Sequence, residues 1–166
     1  MKTLLLLLAL LLCQTPQNER LEAEKGLGPY KLNMGFNPKS GLKLAERTGN
    51  TTEYKGTIKL YPDGVSINTQ VSASFYKEKL MAFAFDVSDP RKTQVLLHYL
   101  ETRYGKGVKN KDESRGASSE IIIWSSPTVR LQVIIDKKTG AGWFDFISNP
   151  LQQLWEQDSI SKLSDI

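Results

Sequence analysis

Between residues 54 and 87 the chain alternates apolar and polar side chains along successive segments. In VSINTQVSASF (residues 65–75), Val65, Ile67, Thr69, Val71, Ala73 and Phe75 fall on one side, and Ser66, Asn68, Gln70, Ser72 and Ser74 fall on the other. A period of two is what a strand imposes. LMAFAFDV (residues 80–87) repeats it, with Met81, Phe83, Phe85 and Val87 on a common face. Tyr61-Pro62-Asp63-Gly64 places proline second and glycine fourth, the chemistry of a type I turn, between a strand ending in Ile58 and Leu60 and one starting at Val65. A second turn at residues 77–79 completes an antiparallel meander.

The period then changes. Asp89 can cap a helix whose first position, Pro90, has no amide hydrogen to lose. Leu96, Leu97, Leu100 and Tyr104 gather on one stripe at helical spacing, and Gly105 suits the position just past the end. Residues 120–124 (EIIIW) are apolar on both faces after the first, as in a covered strand, and Val129, Leu131, Val133 and Ile135 alternate in the next. Residues 142–147 make a further strand, and Asn149-Pro150 starts a terminal helix through Leu151, Leu154 and Trp155. In front of the meander, residues 30–36 read as a first strand with Leu32, Met34 and Phe36 on one side, and residues 42–47 as a short helix.

These elements predict an α+β fold. An antiparallel sheet of about six strands is packed by helices in the order roughly (β)αβββαβββα, with a tandem helix-plus-meander pseudo-repeat starting near Pro38 and Pro90. Leu96, Leu100, Ile121, Ile123, Val133 and Phe83 are expected to be buried together. In outline the order resembles small exported α+β modules such as outer-membrane assembly lipoproteins and β-lactamase inhibitor proteins. That architectural resemblance implies a binding role and names no partner.

The opening stretch MKTLLLLLALLLC sets the expected compartment. Lys2 followed by the apolar run Leu4 to Leu12 is an export signal in composition, too short for the roughly 20 apolar residues of a membrane span. Two readings of Cys13 stand. Its position resembles the junction of a bacterial lipoprotein signal, which is cut before a cysteine that is then acylated, although Leu12 replaces the usual small residue. The other reading is ordinary cleavage within residues 13–20. The expected organisation is an export signal peptide (1–12), a polar tether (13–29), a single α+β domain (30–158) and a polar tail (159–166). The expected location is therefore outside the cytoplasm: periplasmic, or a membrane-anchored lipoprotein, if the source is bacterial. The sequon Asn50-Thr51-Thr52 matters only in a eukaryote.

Composition narrows the chemistry. The one cysteine lies at the export junction and the one histidine is His98, so the domain holds neither the ligands of a structural zinc site nor a Cys–His pair. No metal or cofactor is expected. His98 falls opposite the Leu96/Leu100 stripe, on a solvated helix face, and no G-x-S-x-G accompanies it. A net charge of +4 is mild, and no nucleic-acid partner is expected. Three features are candidate binding sites. Arg103, Lys106, Lys109, Lys111 and Arg115 form a basic loop suited to phosphate or anionic lipid, against the plainer reading of a solvated lysine loop. The uncharged ladder Ser66, Asn68, Gln70, Ser72 and Ser74 offers donors and acceptors to a glycan or protein, against a simple water-facing sheet surface. Of Trp124, Trp143, Trp155, Tyr30, Tyr54 and Tyr61, most are expected in the core. The reading that follows is a non-catalytic exported binding module for an envelope protein or glycan. Its alternatives are a lipid or small-ligand carrier, and a hydrolase using paired carboxylates from Asp86, Asp89, Glu101, Asp112, Glu113, Asp136 and Asp145.

Overall fold

A computed structural model describes the backbone of residues 17–110 and 118–164, and the side chains of residues 19–110 and 118–161. Cys13, Lys111, Arg115 and the segment expected to direct export lie outside the described residues. The fold is α+β, with three α-helices and ten strands in antiparallel sheets among the described residues. In chain order these are α1 (Gln17–Glu24), β1 (Gly26–Leu27), β2 (Tyr30–Lys31), β3 (Lys43–Thr48), β4 (Thr51–Leu60), β5 (Ile67–Tyr76), β6 (Lys79–Val87), α2 (Pro90–Tyr104), β7 (Val108–Asn110), β8 (Ser119–Ser125), β9 (Val129–Asp136), β10 (Gly142–Ser148) and α3 (Asn149–Ser164). β1 and β2 make a small hairpin. The other eight strands form one sheet in the order β3-β4-β5-β6-β10-β9-β8-β7, larger than the six expected. The two meanders therefore join through β6 and β10 at the centre.

The first face of the sheet is apolar and carries α1 and α2. Cross-strand pairing sets Phe144 beside Phe85 and Phe146 beside Phe83, and both pairs stack, with ring centroids 5.3 and 4.6 Å apart. Leu96, Leu100 and Tyr104 of α2 and Leu21 of α1 are buried in the same core. Asp89 caps α2 as expected, its carboxylate accepting from the amides of Arg91 and Lys92, and Gly105 follows the last turn with a positive φ. Ile121 and Ile123 do not join this core. Ile122 pairs with Val133 and Trp124 with Leu131, which turns the other two isoleucines to the second face. A strand apolar on both sides has no alternation to choose its face, so its partner strand decides.

Four local expectations are corrected. Residues 42–47 are not a helix; Lys43–Thr48 is the edge strand β3, paired with β4 and bulged between Leu44 and Glu46. Charges and a bulge suit an edge that must not pair further, and the pairing overrides the helix-forming residue types. Residues 30–36 are only briefly a strand: Leu32 is buried while Met34 is 57% exposed, so they do not share a face. The β4–β5 turn is shifted by one residue. The Val65 amide donates to the Pro62 carbonyl across Asp63 and Gly64, both at positive φ, a type I′ turn within the loop that joins Leu60 to Ile67.

Residues 17–24, expected in a polar tether, form α1 and are docked. Leu21 is fully buried, and the Glu22 carboxylate accepts from the Thr128 amide at 3.0 Å and from the Ser126 hydroxyl at 2.7 Å. Glu24 accepts from Arg103 and from the Tyr104 hydroxyl. Partial burial opposes ionisation at Glu22, but the hydrogen bonds from Thr128 and Ser126 outweigh it and hold the carboxyl below its usual range.

Candidate functional site at the open end of the sheet

β6 must leave the sheet to enter α2, and its last two carbonyls are taken by threonine side chains. The Thr69 hydroxyl donates to the Asp86 carbonyl, and the Thr93 hydroxyl donates to the Val87 carbonyl at 3.0 Å. The β5–β6 ladder accordingly ends at Val71 paired with Phe85, although β5 extends to Ile67 and β6 to Val87. Beyond that point β5 pairs only with β4, and β6 only with β10. The parted strands open a cleft of about 370 Å³, lined on the β5 side by Asn68, Thr69 and Gln70 and on the other by Asp86, Asp89 and Lys92. That volume is within the range of small-ligand sites.

One row of side chains crosses the mouth. Thr57 of β4 pairs with Gln70 of β5, and Asp86 of β6 pairs with Trp143 of β10. Gln70 and Asp86 flank the opening, each one residue past the last β5–β6 pair, and the Gln70 amide donates to the Thr57 hydroxyl at 3.1 Å. Trp143 is 44% exposed. Directly opposite residues in a ladder have Cβ atoms about 5 Å apart, so Trp143 stands next to Asp86 on the same face, on the far side of β6 from the cleft and outside its lining.

The structure thus divides the polar ladder. All five residues lie on the outward side of β5 or just before it, with Ser66 exposed at the start. Asn68 and Gln70 face the cleft, whereas Ser72 is bound into the sheet surface by donating to the Glu53 carboxylate at 2.7 Å. Ser74 is half-buried between Glu53 and Ala82 in register.

Of the basic loop, Arg103, Lys106 and Lys109 lie among the described residues. Arg103 is paired with Glu24 and lies over the Tyr99 ring, and Lys109 is paired with Glu120 at 2.5 Å. Lys106 and Lys109 border a second open cleft of about 410 Å³ beside Tyr104 and Trp124. His98 is exposed on α2. The aromatic set is split as well. Trp124 is buried with its indole nitrogen donating to the Gly105 carbonyl at 2.6 Å, and Tyr30 is buried, but Tyr61, Trp143 and Trp155 are exposed.

The second face also contains an acid and a base that spacing did not single out as a pair. Asp145 of β10 lies across from Gln132 and Ala84, and Arg130 stands one step along β9 on the same face. Burial pushes the Asp145 carboxyl up to about 6, with the Arg130 charge pulling the other way. The Arg130 Nε is buried without a hydrogen-bond partner, while its Nη2 donates to Gln152 of α3 at 3.3 Å. α3 crosses this face as far as β5, where the Tyr76 hydroxyl donates to Asp158 and Lys77 pairs with the same carboxylate at 2.9 Å. Among the described residues no three His, Cys, Asp or Glu side chains gather as a metal site. Comparison with known families, curated proteins and solved structures finds no match to this chain.

Proposed function

We propose that this chain is an exported envelope domain that acts by binding, and that it binds at the cleft between the ends of β5 and β6. The observation that carries this reading is the interrupted ladder. Two strands long enough to continue pairing part instead, and the side chains lining the gap are amides, hydroxyls and carboxylates, with the exposed Trp143 on the next strand beside Asp86. Convergent polar groups in a preformed cleft on a packed sheet are what a recognition site requires. The export signal at residues 1–12 supports the envelope as the place where it works.

Neither alternative has comparable support. A lipid or small-ligand carrier needs an apolar cavity, and the cleft beside Leu27, Leu60 and Leu96 is an open one of about 200 Å³. The hydrolase reading draws on Asp145, whose carboxyl is raised to about 6, and on Asp86, one step along on the same face. Asp145 does not line the described cleft. The test is capture from envelope extracts by the wild-type chain, by Asn68→Ala/Gln70→Ala, and by Lys106→Ala/Lys109→Ala. The cleft variant is expected to lose the captured species while the loop variant keeps it. Loss only in the loop variant contradicts the assignment.

A further inference from the structure

We infer that the cleft takes a carbohydrate chain, with Trp143 as the stacking platform and Asn68, Gln70 and Asp86 as its hydrogen-bonding wall; this rests on the cleft being the binding site. A pyranose has one face of C–H groups and a rim of hydroxyls. It is matched by a flat aromatic surface beside planar amide and carboxylate groups that can each bridge neighbouring hydroxyls. Trp143 is the cross-strand neighbour of Asp86, which lines the cleft opposite Asn68 and Gln70, so an extended chain leaving the cleft over β6 would meet the indole. Thr57, Gln70, Asp86 and Trp143 form one row over four adjacent strands. Three strand spacings of about 4.8 Å would give the row about 15 Å, and the parting of β5 from β6 lengthens it, enough for about three sugar rings.

The other ligand classes fit less well. A peptide strand entering the gap would need free backbone acceptors, but the Asp86 and Val87 carbonyls already accept from Thr69 and Thr93. A nucleic acid or phosphorylated ligand would need concentrated positive charge. The one lysine lining the cleft, Lys92, shares it with Asp86 and Asp89. A sugar asks for neither.

The experiment is an array of neutral, N-acetylated and uronic-acid oligosaccharides probed with the full chain, followed by calorimetric titration of the strongest binder. Trp143→Ala is expected to weaken binding about tenfold, and Trp143→Phe to keep most of it, because stacking on the ring is what is lost. Asn68→Ala/Gln70→Ala is expected to weaken it about tenfold or more through lost hydrogen bonds. Trp143 is exposed, so its variants leave the core intact, which circular dichroism checks. Binding to no oligosaccharide, or binding indifferent to Trp143, overturns the inference. If the array is blank while Asn68→Ala/Gln70→Ala still abolishes capture from extracts, the cleft is a binding site for something other than carbohydrate. If neither responds, the binding-site reading falls with it.

Discussion

Replacing Asp145 with asparagine is the perturbation whose size follows most directly from the structure. The side chain lies between Gln132 and Ala84 on the second face, and burial lifts its carboxyl from 3.8 to about 6. A folded value above the unfolded one means that the native state holds this proton more tightly. The stability tied to the proton is thus fully present below about pH 4 and is lost as the pH rises through about 6. A difference of about two units, at 1.36 kcal/mol each, amounts to about 3 kcal/mol as an upper bound. Asparagine keeps the shape and never ionises. Asp145→Asn is therefore expected to exceed the wild type by up to about 3 kcal/mol near pH 7.5 and to match it near pH 4. Urea unfolding followed by tryptophan fluorescence at several pH values reads this out. A difference that does not change with pH refutes the reasoning. A variant weaker than wild type at pH 7.5 means instead that Arg130 holds Asp145 as an ion pair.

Other expectations are independent of this one. Glu22→Gln should cost about 1 kcal/mol at neutral pH through weakened bonds to Ser126 and Thr128, a loss that disappears as pH falls below the usual glutamate range; its lowered carboxyl gives the opposite sign to Asp145. Leu100→Ala should cost about 2–5 kcal/mol in urea unfolding, since this α2 side chain is fully buried against the sheet; a loss below about 0.5 kcal/mol would place that helix at the surface. Gly142→Ala should cost about 1–3 kcal/mol in thermal or urea unfolding, because a Cβ there would lie 2.7 Å from the Thr93 methyl and 2.9 Å from the Phe144 ring. Intact-mass spectrometry of the exported protein should show a chain lacking residues 1–12, with lipid mass on Cys13 or further trimming. A full-length chain in the cytoplasm contradicts the export reading.

What could be read from the sequence was local and repetitive. The alternation in β5, the Asp89-Pro90 start of α2 and its leucine stripe each depend on neighbours within a few residues, and all three stand as expected. What could not be read depended on distant partners. α1 has one buried leucine among polar residues, and its docking rests on carboxylates that meet Arg103, Ser126 and Thr128. β3 has helix-forming residue types, but β4 is available beside it and pairing prevails. Of the candidate site, the polar row on β5 was visible as a pattern. The opening that separates Asn68 and Gln70 from Ser72 was not, because it arises from two threonine hydroxyls occupying carbonyls at the end of β6. Trp143 could not be told from a core tryptophan until β10 was placed against β6.

The most direct measurement is amide chemical-shift mapping of the full chain, titrated with the oligosaccharide that binds most strongly on the array. Shifts are expected at residues 67–70, 86–92 and 142–144, with the Trp143 indole resonance moving most. Shifts confined to residues 104–110 and 123–125, around the lysine-bordered cleft, or no shift at any amide, would contradict the assignment of the β5–β6 opening as the binding site.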